Sequence, residues 1–126
     1  MPGKILLVED DRFLIKACYT KFTQHGYEVI LANDGDEGIS KAKSDKPDIV
    51  LLDMVLPKKN GFEVLRELKG NPDTASIPVF ILSNLAQEQD ISEGKALGAA
   101  DYIIKSNTSL AEIVEKVANF LASTKQ

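Results

Sequence analysis

The chain has 126 residues, with 15 Lys and Arg against 19 Asp and Glu and a single His, for a formal net charge of −4. That length suits one domain, expected to span residues 1–126 with a core over about 4–121. Leu, Ile, Val and Phe make up about 30% of the residues, above the roughly 20% below which chains tend to stay disordered, so a core can form without disulfides or a structural metal. The longest apolar runs (residues 5–8, 49–52 and 79–82) fall far short of the roughly 18 residues a membrane span needs. Met1 leads almost at once into a strand pattern, so no secretory leader is expected. Cys18 is the one cysteine and cannot close an internal disulfide, which fits a reducing, cytoplasmic setting. One His and one Cys cannot build a zinc or iron site. Mild acidity without a basic stripe argues against direct nucleic-acid binding.

Short β-rich runs alternate with helical patterns. Residues 4–8 read as a buried strand. Residues 12–24 read as a helix with Leu14, Ala17, Cys18 and Phe22 inward, capped by Asp11 and stopped by Gly26. His25 is expected at the surface near that helix end. Residues 28–31 form a second strand, and Asp34-Gly35 opens a helix that turns Ile39 and Ala42 inward. After Lys46-Pro47, residues 48–52 form a third strand. Asn60 and Glu63 are spaced as a capping box for a helix carrying Val64, Leu65 and Leu68 inward. Ile77-Pro78 leads into a fourth strand at 79–82. A weak helix follows over about 88–97, poor in apolar residues, interrupted by Gly94 and ended by Gly98. Residues 102–104 form a fifth strand. Ser109 and Glu112 cap a last helix with Leu110, Ile113, Val117 and Leu121 on one face. This βα alternation predicts an α/β parallel sheet covered by helices on both faces, with right-handed crossovers.

In such sheets, sites form outside the carboxyl ends of the strands. Glu9, Asp10 and Asp11 follow the first strand, Asp53 the third, Ser83 and Asn84 the fourth, and Lys105 the fifth. If the first and third strands are neighbours, Glu9, Asp10 and Asp53 crowd together. Two like charges about 4 Å apart repel by roughly 4 kcal/mol at an effective dielectric near 20. The cluster therefore calls for a cation or for proton uptake. The donors are hard oxygens, which favour Mg²⁺ or a similar ion. Asp can act as a nucleophile toward phosphorus, while a metal and a Lys neutralise charge on the transferring group and a hydroxyl donates to it. Each residue alone has a plainer reading, as a cap, a turn or a surface side chain. Their joint placement at four strand ends favours phosphoryl transfer.

These residues carry a resemblance to the response regulator receiver domain of two-component signalling, over about residues 4–121. The strings are Ile5-Leu-Leu-Val-Glu-Asp-Asp11, Pro47-Asp-Ile-Val-Leu-Leu-Asp-Met-Val-Leu-Pro57 with Gly61, Ile81-Leu-Ser83, and Gly98-Ala-Ala-Asp-Tyr-Ile-Ile-Lys105. The resemblance implies a flavodoxin-like three-layer sandwich with five helices and a five-stranded sheet ordered 2-1-3-4-5. It implies Asp53 as phosphoacceptor. Glu9 and Asp10, with Asp53 and the backbone carbonyl of Val55, would hold Mg²⁺. Ser83 and Lys105 would bind the phosphoryl group, and Tyr102, with Ser83, would be a switch residue. The implied partners are a sensor histidine kinase or phosphotransfer protein and a downstream protein. The surface of the weak helix, the fifth strand and the last helix is the expected output face. Tyr102 is expected to turn inward on phosphorylation.

Two positions depart from the resemblance. Ser106 stands where the family usually has a Pro after a cis bond, and a cis bond before a non-proline residue costs about 2.5 to 4 kcal/mol. Lys59 stands where many members carry an apolar residue. Three other readings compete. An aspartyl-phosphate phosphatase of the haloacid dehalogenase type needs an acid where Val55 stands. A flavodoxin-like electron carrier needs a phosphate loop where three acids stand. A docking-only receiver-like module would leave the acid pair, Asp53, Ser83 and Lys105 unused. Without an effector domain in view, the chain is expected either to act alone or to be cut from a larger protein.

Overall fold

A computed structural model describes residues 3–124; Met1, Pro2, Lys125 and Gln126, and with them the expected absence of a leader and part of the polar tail, lie outside the described residues. The elements are β1 (Lys4–Val8), α1 (Arg12–Gln24), β2 (Glu28–Ala32), α2 (Gly35–Asp45), β3 (Ile49–Leu52), α3 (Gly61–Gly70), β4 (Val79–Ser83), α4 (Glu88–Ala96), β5 (Asp101–Ile104) and α5 (Leu110–Thr124), with a 3₁₀ turn at Lys105–Asn107 before α5. All strand pairs are parallel, in the order β2-β1-β3-β4-β5. This is the flavodoxin-like sandwich of five strands and five helices that the resemblance implied. The 3₁₀ turn carries no sequence periodicity and was not expected.

The strands are apolar on both faces because helices cover both. Leu6, Val8, Val50, Leu52, Val79 and Ile81 join Ile39 and Ala42 of α2 and Val64, Leu65 and Leu68 of α3 in one core. The alternate residues Ile5, Leu7, Ile49, Leu51, Phe80, Leu82 and Ile103 meet Cys18 and Phe22 of α1 and Ile113, Val117 and Leu121 of α5 in the other. The period-two alternation of a strand thus divides each run between two cores.

Local capping fixes where the helices start. Asp11 accepts from the backbone N–H groups of Phe13 and Leu14, and Asp34 from that of Glu37. Asn60 and Glu63 form the expected reciprocal capping box, as do Ser109 and Glu112. α4 is the exception: Gln87 gives its start no side-chain cap, and Gly94 is its one buried residue. His25 sits at the end of α1 with Nδ1 2.9 Å from the Lys21 carbonyl oxygen. Thr74 is a buried polar residue the sequence reading passed over. Its hydroxyl donates to the Leu68 carbonyl at 2.6 Å and so closes the end of α3.

Burial pushes the Cys18 thiol up from its ordinary 9.0 to about 11. Between those values the folded chain holds a proton that the unfolded chain has lost, so this group's contribution to stability falls as pH rises. Ultraviolet titration of the thiolate should show Cys18 ionising near pH 11 in the folded chain and near 9 in denaturant.

Candidate functional site

Parallel pairing sets Val8 of β1 against Leu52 of β3. The next residues, Glu9 and Asp53, therefore emerge side by side. Backbone bonds hold them there: the Glu9 N–H donates to the Ala32 carbonyl and the Asp53 N–H to the Val8 carbonyl, both at 3.0 Å. Carboxylate oxygens of Glu9, Asp10 and Asp53 all lie within 4.8 Å of one another. Glu9 is 1% and Asp53 6% exposed, while Asp10 faces solvent. Glu9, Asp10, Asp11, Asp53, Val55, Ser83, Asn84, Leu85 and Lys105 line one open pocket of about 340 Å³. The structure thus gathers the residues of four strand ends that the sequence singled out. Tyr102 does not line that pocket, but its hydroxyl bonds the backbone of Leu85, which does.

Lys105 enters this acidic corner from the end of β5. Its Nζ lies 2.8 Å from Glu9 Oε1 and 3.3 Å from Asp53 Oδ2. Burial alone would depress the ammonium, but Glu9 and Asp53 outweigh it and hold Lys105 above its ordinary value. Burial also pushes the Glu9 carboxyl up, against the opposing pull of Lys105. Glu9 Oε2 accepts the Asp10 and Asp11 N–H groups at 3.2 and 3.1 Å. Glu9 Oε1 is buried, and the Lys105 ammonium approaches it off the line a hydrogen bond requires, so that oxygen has no hydrogen-bond partner. A buried carboxylate oxygen left this way is costly. It fits a further cation, and the all-oxygen donor set suits a hard one.

The β3–α3 loop forms one wall. Gly61 packs so closely that a Cβ there would overlap the Asp53 carbonyl oxygen and come within 2.6 Å of Met54 Cα. Lys59, the atypical residue, bridges Asp36 of α2 at 3.7 Å and Glu67 of α3 at 2.5 Å. Its aliphatic stem and charge thus hold the loop against two helices where an apolar side chain would only pack. The opposite wall is β4–α4. Ser83 is fully buried, and its hydroxyl accepts the Leu85 N–H at 3.2 Å.

The sequence left the bond before Ser106 open between cis and trans. Among the described residues no peptide bond is cis, so the chain reaches Ser106 through an ordinary trans bond and the 3₁₀ turn. The energetic preference for trans before a non-proline residue explains this. Tyr102 was expected to turn inward on phosphorylation. Its hydroxyl already donates to the Leu85 carbonyl at 2.5 Å, and its ring packs against the α2–α3 core. Gly94 makes the seat: a Cβ there would lie 3.1 and 3.2 Å from Tyr102 ring carbons and 2.6 Å from Ile81 Cδ1. Burial, then the charge of Asp90, raises the Tyr102 phenol above its ordinary value. Gly94→Ala should add about 1 kcal/mol of helix propensity yet push the ring outward. By ¹³C NMR titration, the Tyr102 phenol should fall back toward 10.0 in that variant; an unchanged titration would mean that the ring does not need the glycine.

Comparison with known proteins agrees with this geometry. The family profile described as the response regulator receiver domain matches residues 5–118. Protein PilH of Pseudomonas aeruginosa is 38% identical over 103 residues, covering 82% of this chain and 85% of PilH. The chain spans 43% and 23% of two further relatives, both longer regulators. Among solved structures, the phosphorylated cyanobacterial phytochrome response regulator RcpA is 33% identical with a TM-score of 0.83, covering 100% of this chain and 98% of that one. The Mn²⁺-bound form of response regulator Rcp1 is 32% identical with a TM-score of 0.77, covering 94% and 91%. With its strand order, its acid cluster and its profile match over nearly all its length, the chain belongs to the response regulator receiver domain family.

Proposed function

We propose that the chain is a single, cytoplasmic receiver domain that accepts a phosphoryl group on Asp53. The donor is a phosphohistidine of a sensor histidine kinase or phosphotransfer protein. One observation carries this reading: a nearly buried Asp53 lies between a second carboxylate and an ammonium, at the open end of a parallel sheet. The fold and the phosphorylated state of RcpA support it. A carboxylate oxygen of Asp53 attacks phosphorus as the bond to the donor imidazole nitrogen breaks, and the electron pair stays on that nitrogen. Glu9, Asp10, Asp53 and the Val55 carbonyl would hold Mg²⁺, which offsets negative charge between carboxylate and phosphoryl oxygens. The Glu9 oxygen that has an ion pair but no hydrogen bond, and the Mn²⁺-bound relative Rcp1, support such an ion. Lys105 moves its charge from Glu9 toward the incoming group, and Ser83 turns its hydroxyl from the Leu85 N–H to a phosphoryl oxygen. Phe13, 90% exposed beside Asp11, and Val55, 61% exposed, give the acidic mouth an apolar rim for the donor protein to cover.

The group adds roughly −1.5 to −2 charge. Ser83 and Lys105 then draw β4 and β5 toward Asp53, and the movement reaches Tyr102 through the Leu85 carbonyl. α4 has little buried surface and no side-chain cap, so it is free to respond. The output face is α4, β5 and α5, where a downstream protein docks. Acetyl phosphate with Mg²⁺ should add one phosphoryl mass to the chain, and none to Asp53→Asn or to an EDTA-treated sample. Amide shifts should follow on α4, β5 and α5 in the wild type alone. Absence of label from the wild type would remove this reading.

Water later attacks phosphorus, the bond to Asp53 breaks, and phosphate leaves. Val55 and Leu85 flank the pocket and neither can orient that water. The phosphorylated state should therefore be long-lived. Leu85→Glu or Val55→Asn should shorten its half-life severalfold, short of the roughly hundredfold that a fully positioned general base supplies. Decay of ³²P label measures this, and half-lives equal to wild type would show that the two side chains do not set the rate.

A further inference from the structure

The residue after Lys105 is Ser106, which has a backbone N–H that a proline lacks. That N–H donates to Asn84 Oδ1 at 2.9 Å, across 22 residues of sequence. Asn84 directly follows Ser83, so one side-chain bond joins the residue beside the pocket hydroxyl to the residue beside the pocket ammonium. The rest of the turn is tied locally: the Thr108 hydroxyl donates to the Ile104 carbonyl at 2.9 Å, and the Thr108 N–H to the Lys105 carbonyl at 3.4 Å. Beyond these ties, β4 and β5 are linked by the sheet, whose last rung is Ser83 against Ile104, and by the Tyr102 hydroxyl on the Leu85 carbonyl. The Asn84 bond extends that pairing one step past the strand ends, over the mouth of the pocket.

We propose that Asn84 is a positioning residue: through the Ser106 N–H it fixes the turn that aims Lys105 at Asp53 and makes the Ser83 and Lys105 loops move as one body. The proposal rests on the phosphoacceptor reading of Asp53. Lys105 has a flexible four-carbon stem, so its aim depends on where its backbone is held. A trans, non-proline turn has no ring to stiffen it, and Asn84 supplies that constraint from the neighbouring loop. Asn suits the task because its carbonyl oxygen accepts while adding no charge to a corner that already holds three carboxylates. Both side chains are exposed, so the bond can be removed without disturbing the core.

The test uses the full chain with Mg²⁺ and acetyl phosphate, in wild type, Asn84→Ala, Asn84→Asp, Lys105→Ala and the Asn84→Ala/Lys105→Ala double variant. Loss of one such hydrogen bond should slow uptake about three- to tenfold in Asn84→Ala. Amide exchange at Ser106 should speed up in Asn84→Ala, and its protection should return in Asn84→Asp, which keeps the accepting oxygen. Because Asn84 acts through Lys105, Asn84→Ala should add nothing in the Lys105→Ala background. Uptake at the wild-type rate, an additive loss in the double variant, or unchanged Ser106 exchange would each overturn the proposal. If the wild type takes no label, the phosphoacceptor reading fails by itself. The tether is then decided by Ser106 exchange and by the Lys105 ε-methylene resonance: movement of both in Asn84→Ala upholds it, and no movement overturns it.

Discussion

Like charge forced together is the constraint on which this molecule is organised. Parallel register sets the ends of β1 and β3 side by side, and both continue directly into acids. Glu9 and Asp53 have almost no solvent to screen them. The sheet can keep them there because the backbone hydrogen bonds that place them belong to a core far larger than the repulsion. Lys105 crosses from β5 to offset the charge, and in doing so links the two edges of the pocket. The offset is incomplete, since one Glu9 oxygen is still without a hydrogen bond. A site that is neither fully neutralised nor fully hydrogen-bonded leaves room for a further cation among its three carboxylates.

The scaffold around that site is uneven. On one side the β3–α3 loop is pinned by Lys59 to α2 and α3. On the other, α4 contributes little to either core and meets the sheet mainly through Gly94, Ile81 and Tyr102. Tyr102 reaches across to the Leu85 carbonyl, so the loop after β4 and the aromatic ring of β5 report on each other. The seat at Gly94 explains why a poor helix former is useful in that place. Its missing side chain is the space the ring occupies, and the cost in helix propensity falls on the element that is least well packed.

Most of the fold was legible because two periodicities, near two and near 3.6, separate strands from helices in this chain. Strand order came from the resemblance; no spacing rule places β3 beside β1. The site residues were legible as strand-end residues, since an apolar run that stops abruptly at Asp53 or Lys105 marks its own terminus. What was not legible depended on contacts distant in sequence. Nothing near Ser106 indicates that Asn84 would accept its N–H. Nothing near Tyr102 indicates that its hydroxyl would find the Leu85 carbonyl without a phosphoryl group present. Thr74 was missed because a lone hydroxyl among turn residues looks like a surface group until the Leu68 carbonyl is placed beneath it. Strand ends shifted by a residue, as at Ala32 and Ser83, because hydrogen-bond pairing outlasts the apolar pattern.

Gly61 gives this unevenness a direction. Backbone at the exit of β3 presses directly on the first residue of α3, with no side chain between to yield. Interiors packed so tightly have low compressibility and pass strain on. A disturbance at Asp53 thus meets a hard stop on one flank and a compliant helix on the other. Stiffness is therefore distributed asymmetrically about β3, with a glycine contact as its rigid end.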